Sequence, residues 1–178
     1  MRGQATDNAT TMLHYGAEER RLAQYPLKAK ITAIVLTLGS LWVAEYRQPD
    51  VKRIDTRTGR MRLGAQLTSV AGSLAAGGGY VFAGMPNEDT VARIEPGHSH
   101  DPVYRIAGKR PEQLTYARGR VYVASRYDGT LVVIDPKTMR PAQNPLTVRL
   151  NPFAVTSDRR HVWVTGLGDD TVTRVDLG

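Results

Sequence analysis

The chain has 178 residues, 41% of them hydrophobic, and carries 24 Lys and Arg against 17 Asp and Glu for a formal net charge of +7. This length suits a single domain able to bury most of the surface of its unfolded chain, and the positive balance favours acidic surfaces or polyanions as partners. The absence of cysteine excludes disulfides, Cys-ligated zinc, iron–sulfur clusters and a cysteine nucleophile.

The N-terminal stretch MRGQATDNATTMLHYG is polar and has no apolar core, so the chain as given carries no export signal. The apolar run from Ile31 to Ala44 is shorter than the roughly 20 residues of a membrane span, and Thr32, Thr37, Gly39 and Ser40 interrupt it. No membrane span is expected.

From that run onward the sequence repeats. SLWVAEYRQPDVKRID, GYVFAGMPNEDTVARIE, RVYVASRYDGTLVVID and HVWVTGLGDDTVTRVD align with one residue of slack in the loops. Trp42, Phe82, Tyr122 and Trp163 recur at steps of 40, 40 and 41, as do Asp55, Glu95, Asp135 and Asp176, and Ile34, Leu74, Leu114 and Val155. A period held at three independent positions marks a repeat architecture.

Each unit reads as four short strands, a to d, separated by turn residues. Strand a lies near Ile34. Strand b, Leu41 to Ala44, is continuously apolar, as expected of a strand covered on both faces. Strand c, Val51 to Ile54, ends at the recurring acid, which is expected to accept bonds from the backbone N–H groups of the turn that follows. Strand d falls near Arg62 to Leu67. The last unit stops after strand c, whereas Ala23 to Lys28 precedes the first unit where a strand d belongs: Leu27, Leu67, Ala107 and Val148 keep the same steps. Pairing of that segment beside the Trp163 strand would close a ring of four units and remove two open edges.

The units SLWVAEYRQPDVKRIDTRTGR and RVYVASRYDGTLVVIDPKTMR resemble the repeats of YVTN, NHL and virginiamycin B lyase-like bacterial β-propellers, over residues 31 to 178. The resemblance implies an all-β fold, a β-propeller of four roughly 40-residue blades. It would be closed by the N-terminal outer strand or be part of a larger propeller, since such rings commonly have six or seven blades. Residues 22–178 are then the propeller domain and 1–21 an N-terminal extension, read as the remnant of an upstream blade. The resemblance also leaves room for an extracytoplasmic location of a longer parent protein.

By that resemblance the b–c and d–a loops share the ligand face. Tyr46, Arg47, Arg110, Arg126, Tyr127 and Asn151 are the candidate ligand-binding residues, because arginine beside tyrosine can pair with an anionic group and stack on a planar one. Solvated loop residues are the ordinary alternative. The partner expected there is a small molecule or a protein. A second, anionic partner would suit the opposite face, where Arg57, Arg60, Arg118, Arg120, Lys137, Arg140, Arg159 and Arg160 collect. No catalytic residue, cofactor or resident metal is assigned, and no motif supports sequence-specific nucleic-acid reading. His98-Ser99-His100-Asp101 reads as a solvated loop. A non-catalytic binding or sensor scaffold is thus the leading expectation. The alternatives are a lyase or lactonase with a metal held by Glu88, Asp89, Asp169 or Asp170, and an assembly piece that pairs with another copy or a larger protein.

Overall fold

Short apolar strands joined by Asp- and Gly-containing turns satisfy their backbone groups by pairing with their neighbours in sequence. In the structure, a computed structural model, every named strand pairs in this way. It describes residues 10–15, 21–27 and 30–178, the first two segments as backbone alone except at Leu27.

A hairpin of β1 (Thr10–Tyr15) and β2 (Arg21–Leu27) comes first. Three four-stranded antiparallel sheets follow. The first holds β3 (Ile31–Thr37), β4 (Ser40–Glu45), β5 (Asp50–Asp55) and β6 (Met61–Gln66). The second holds β7 (Ser73–Gly77), β8 (Tyr80–Met85), β9 (Thr90–Ile94) and β10 (Val103–Ile106), and the third holds β11 (Pro111–Ala117), β12 (Arg120–Ser125), β13 (Thr130–Ile134) and β14 (Leu146–Thr147). The last sheet is three-stranded: β15 (Pro152–Ser157), β16 (His161–Gly166) and β17 (Thr171–Asp176). Strands a to d of the sequence are these strands in order.

The sheets stack face to face, with their first strands touching in series from β3 to β7, β11 and β15. Each interface has its own apolar core. Trp42, Ala44 and Val51 of the first blade meet Val81, Ala83 and Ile94 of the second. Phe82 and Val91 meet Val121, Val123 and Ile134, and Tyr122, Ala124 and Leu131 meet Val155, Val162 and Val164. The second strands are therefore apolar on both sides, whereas β17 alternates between half-buried and exposed because, among the described residues, one of its faces has no neighbouring blade.

The expected closure does not occur. β2 pairs with β1, and the sheet holding Trp163 keeps three strands. Lys28, the last residue of the expected strand, lies outside the described residues. The physical reason is proximity in sequence: five residues separate β1 from β2, so their pairing costs far less chain entropy than β2 reaching β17. Leu27 nonetheless keeps the place its spacing implies. It is buried against Leu41, Val43 and Ile54, as Leu67 is buried beside Val81, Ala83 and Ile94 one blade on.

Candidate functional site

The two loop types expected on one face are tied together by the backbone. Tyr46 N donates to Lys30 O at 2.6 Å, Arg126 N to Arg110 O at 3.0 Å and Leu167 N to Asn151 O at 3.0 Å. Arg47, Arg110 and Asn151 take positive φ angles of 60°, 57° and 51° in these tight connections.

The loop entering the third blade is held most firmly. Asp89 Oδ1 accepts from Arg110 N at 2.7 Å, and Asp128 Oδ2 accepts from Lys109 N at 2.6 Å. The buried Ser125 hydroxyl donates to Ala107 O. Gly108 makes this approach possible: its φ is +78°, and a Cβ there would lie 2.5 Å from Ser125 Oγ.

On this platform Arg110 and Arg126 converge. Glu112 Oε1 accepts from Arg110 Nε at 2.5 Å and from Arg126 Nη1 at 3.1 Å. The two guanidinium carbons lie 5.6 and 5.9 Å from the centre of the exposed Tyr127 ring, and that of Arg126 lies 5.8 Å from the Phe153 ring. The hydrogen bond to Glu112, followed by its charge, raises the Arg110 pKa, so that guanidinium stays charged. Two cations face one carboxylate. Arg126 Nε is buried and has no hydrogen-bond partner among the described residues, although a buried unmade hydrogen bond to a charged group is costly.

Arg110, Arg126 and Tyr127 are thus brought together. The other three candidates lie elsewhere: Tyr46 and Arg47 stack on each other at 5.2 Å in the first blade, and Asn151 belongs to the entry loop of the last. Glu112 and Phe153 complete the cluster and were not among the chosen residues. Their signal was position, since both lie at or beside the start of a strand a, directly after the d–a loop.

Three of the four acids considered as metal ligands are engaged in loop contacts. Glu88 Oε2 accepts from Thr68 Oγ1 at 2.7 Å, Asp89 holds Arg110 N, and Asp169 Oδ1 accepts from Thr171 Oγ1 at 2.7 Å. Among the described residues no three His, Asp or Glu side chains gather as a metal set. Glu45 is buried at the end of β4, a position that Met85, Ser125 and Gly166 also bury.

The recurring acid forms turns where its side chain is aspartate followed by Thr three residues on. Asp55 Oδ1 accepts from Arg57 N at 3.0 Å and Thr58 N at 2.7 Å, and Asp135 Oδ1 accepts from Lys137 N and Thr138 N, both at 3.0 Å. These bonds, above all those from Thr58 and Thr138, hold both carboxyls below their ordinary pKa. On the same side of the molecule His161 Nδ1 lies 3.0 Å from Asp158 Oδ2.

Stacked four-stranded antiparallel sheets with paired loop faces define a β-propeller. Solved propellers superpose on the chain throughout. Virginiamycin B lyase from Staphylococcus aureus, solved with quinupristin, matches 96% of this chain and 61% of its own at a TM-score of 0.80 and 16% identity. The Neurospora crassa Pan2 WD40 domain matches 95% and 57% at 0.75 and 15% identity, and the computationally designed Ika4 protein 85% and 94% at 0.71 and 18%. No protein-family model matches the sequence, and no curated protein matches it. The chain spans about three fifths of the lyase and of the WD40 domain, and at these identities the likeness is one of fold.

Proposed function

We propose that this chain is a non-catalytic binding propeller whose loop face, over the third blade, takes a planar carboxylate-bearing ligand or the carboxylate of a protein partner. The observation that carries this reading is the Arg126 guanidinium. Its Nε is buried and unpartnered among the described residues, and its Nη1 is steered by Glu112. A carboxylate presented to the Nε edge would complete a two-point pairing, which suits arginine's planar fork better than a point charge does. Arg110 supplies the second positive charge. Tyr127 and Phe153 flank the guanidinium with ring surface against which a planar group can stack. The Tyr127 ring is exposed, so a group stacked on it is reached from solvent.

Titration calorimetry with benzoate, inorganic phosphate and benzyl alcohol tests this. Benzoate should bind, phosphate more weakly and benzyl alcohol not at all. Losing hydrogen bonds to a charged group in Arg126→Gln should weaken benzoate by about 10- to 100-fold, from roughly 1.5–3 kcal/mol. Equal heats for the wild type and Arg126→Gln would remove the reading.

A further inference from the structure

The same register positions are buried in three blades and open in the fourth. Val51, Val91 and Leu131 are fully buried by the next blade, whereas Val172, their equivalent on β17, is 64% exposed. Beside it a cleft of about 350 Å³ runs over Ala154, Trp163 and Thr165. At the other end Ile34 is 55% exposed, while its equivalents Leu114 and Val155 are 6% and 8% exposed against the preceding blade. The chain therefore carries, uncovered, both halves of an interface that it builds three times within itself.

We propose that a second copy of this chain covers these faces. The last sheet of each copy packs on the first blade of the other, in a head-to-tail ring of two chains. Complementarity is inherent, because the face around Val172 is built to the same pattern as those around Val51, Val91 and Leu131. The curvature agrees: the four blades superpose on 61% of the lyase and 57% of the WD40 domain, so the arc covers only part of such a ring. A second copy would supply blades of the same pattern to both uncovered faces. Arg174 on β17 holds the position of Arg93 on β9, which donates to Pro136 O and to Lys137 O in the next blade's turn. In the dimer Arg174 would meet the matching turn at Thr56 and Arg57 of the second copy.

The hairpin marks where the strands exchange. β1 and β2 lie about forty residues before β5 and β6, so they occupy the third and fourth strand positions of a blade preceding the first. Leu27 already covers part of the first blade's outer face. An arriving β15–β17 sheet supplies first, second and third strands. Its β17 takes the place of β1 beside β2, and a composite four-stranded blade results. Ladder bonds lost to β1 are regained by β17.

Light scattering coupled to gel filtration, on the full chain and on Val172→Arg and Ile34→Arg, tests this. The wild type should have twice the 19.6 kDa chain mass. Each variant alone should be monomeric with unchanged circular dichroism, since both positions are exposed in the single chain. An equimolar mixture of the two variants should recover dimers, because a mixed pair keeps one interface free of both substitutions. A monomeric wild type, filaments instead of a closed dimer, or a wild-type dimer indifferent to both substitutions would overturn the proposal.

Discussion

Arg110 and Arg126 reach the same carboxylate oxygen, Glu112 Oε1, from two different loops of the third blade. The pairing depends on the backbone bond from Arg126 N to Arg110 O, which sets the loops side by side. Three groups thus hold one another in place while the buried Arg126 Nε–H finds no acceptor among the described residues.

Removing the shared acceptor should expose that dependence. Glu112→Ala leaves two guanidiniums facing each other. It should lower stability by about 1–2 kcal/mol, less than the loss of a wholly buried pair because both arginines are partly in water. Chemical denaturation of the variant checks this, and an unchanged midpoint would show that Glu112 does not organise the loops.

Close packing between blades gives a second expectation. A Cβ on Gly77 would lie 2.0 Å from the Tyr116 ring, which stacks on Phe82 at 6.3 Å between centroids. Gly77→Ala should therefore force Tyr116 off Phe82 and cost about 1–3 kcal/mol, as overpacked cores do. In a double-mutant cycle with Tyr116→Ala, much of that added cost should disappear.

The turn aspartates set the acid limb of stability. Their folded pKa values are lowered, so the folded protein binds fewer protons than the unfolded chain near pH 4. Their contribution is complete above the unfolded carboxyl's pKa of about 4 and is lost as pH falls through the lower folded value. Asp135→Asn should lower the melting temperature at pH 7 and make it less sensitive to acid below pH 4, which a series of melts across pH 2–7 would record.

The repeat could be read from side chains because burial dictates them. Trp42, Phe82 and Tyr122 fill equivalent places between blades, and Asp55 and Asp135 close equivalent turns. Strand d was less legible. β14 is only Leu146–Thr147, since Pro141 and Pro145 remove donors from a longer ladder. Leu27 was placed correctly by its spacing, but spacing cannot say which edge β2 will pair with. The site was half legible for a similar reason. Arg126-Tyr127 and Tyr46-Arg47 look alike in sequence, yet the second blade separates them. Only the first pair has an acid and a ring brought to it, Glu112 and Phe153, by the strands that follow their loops.

The most direct test of the binding reading observes the Arg126 Nε–Hε group itself. In a nitrogen–proton correlation spectrum the resonance, assigned by its loss in Arg126→Lys, should shift progressively and saturably as benzoate is added. Benzyl alcohol at the same concentrations should leave it in place. A benzoate titration that moves other arginine resonances and leaves Arg126 Nε–Hε unmoved would contradict the account.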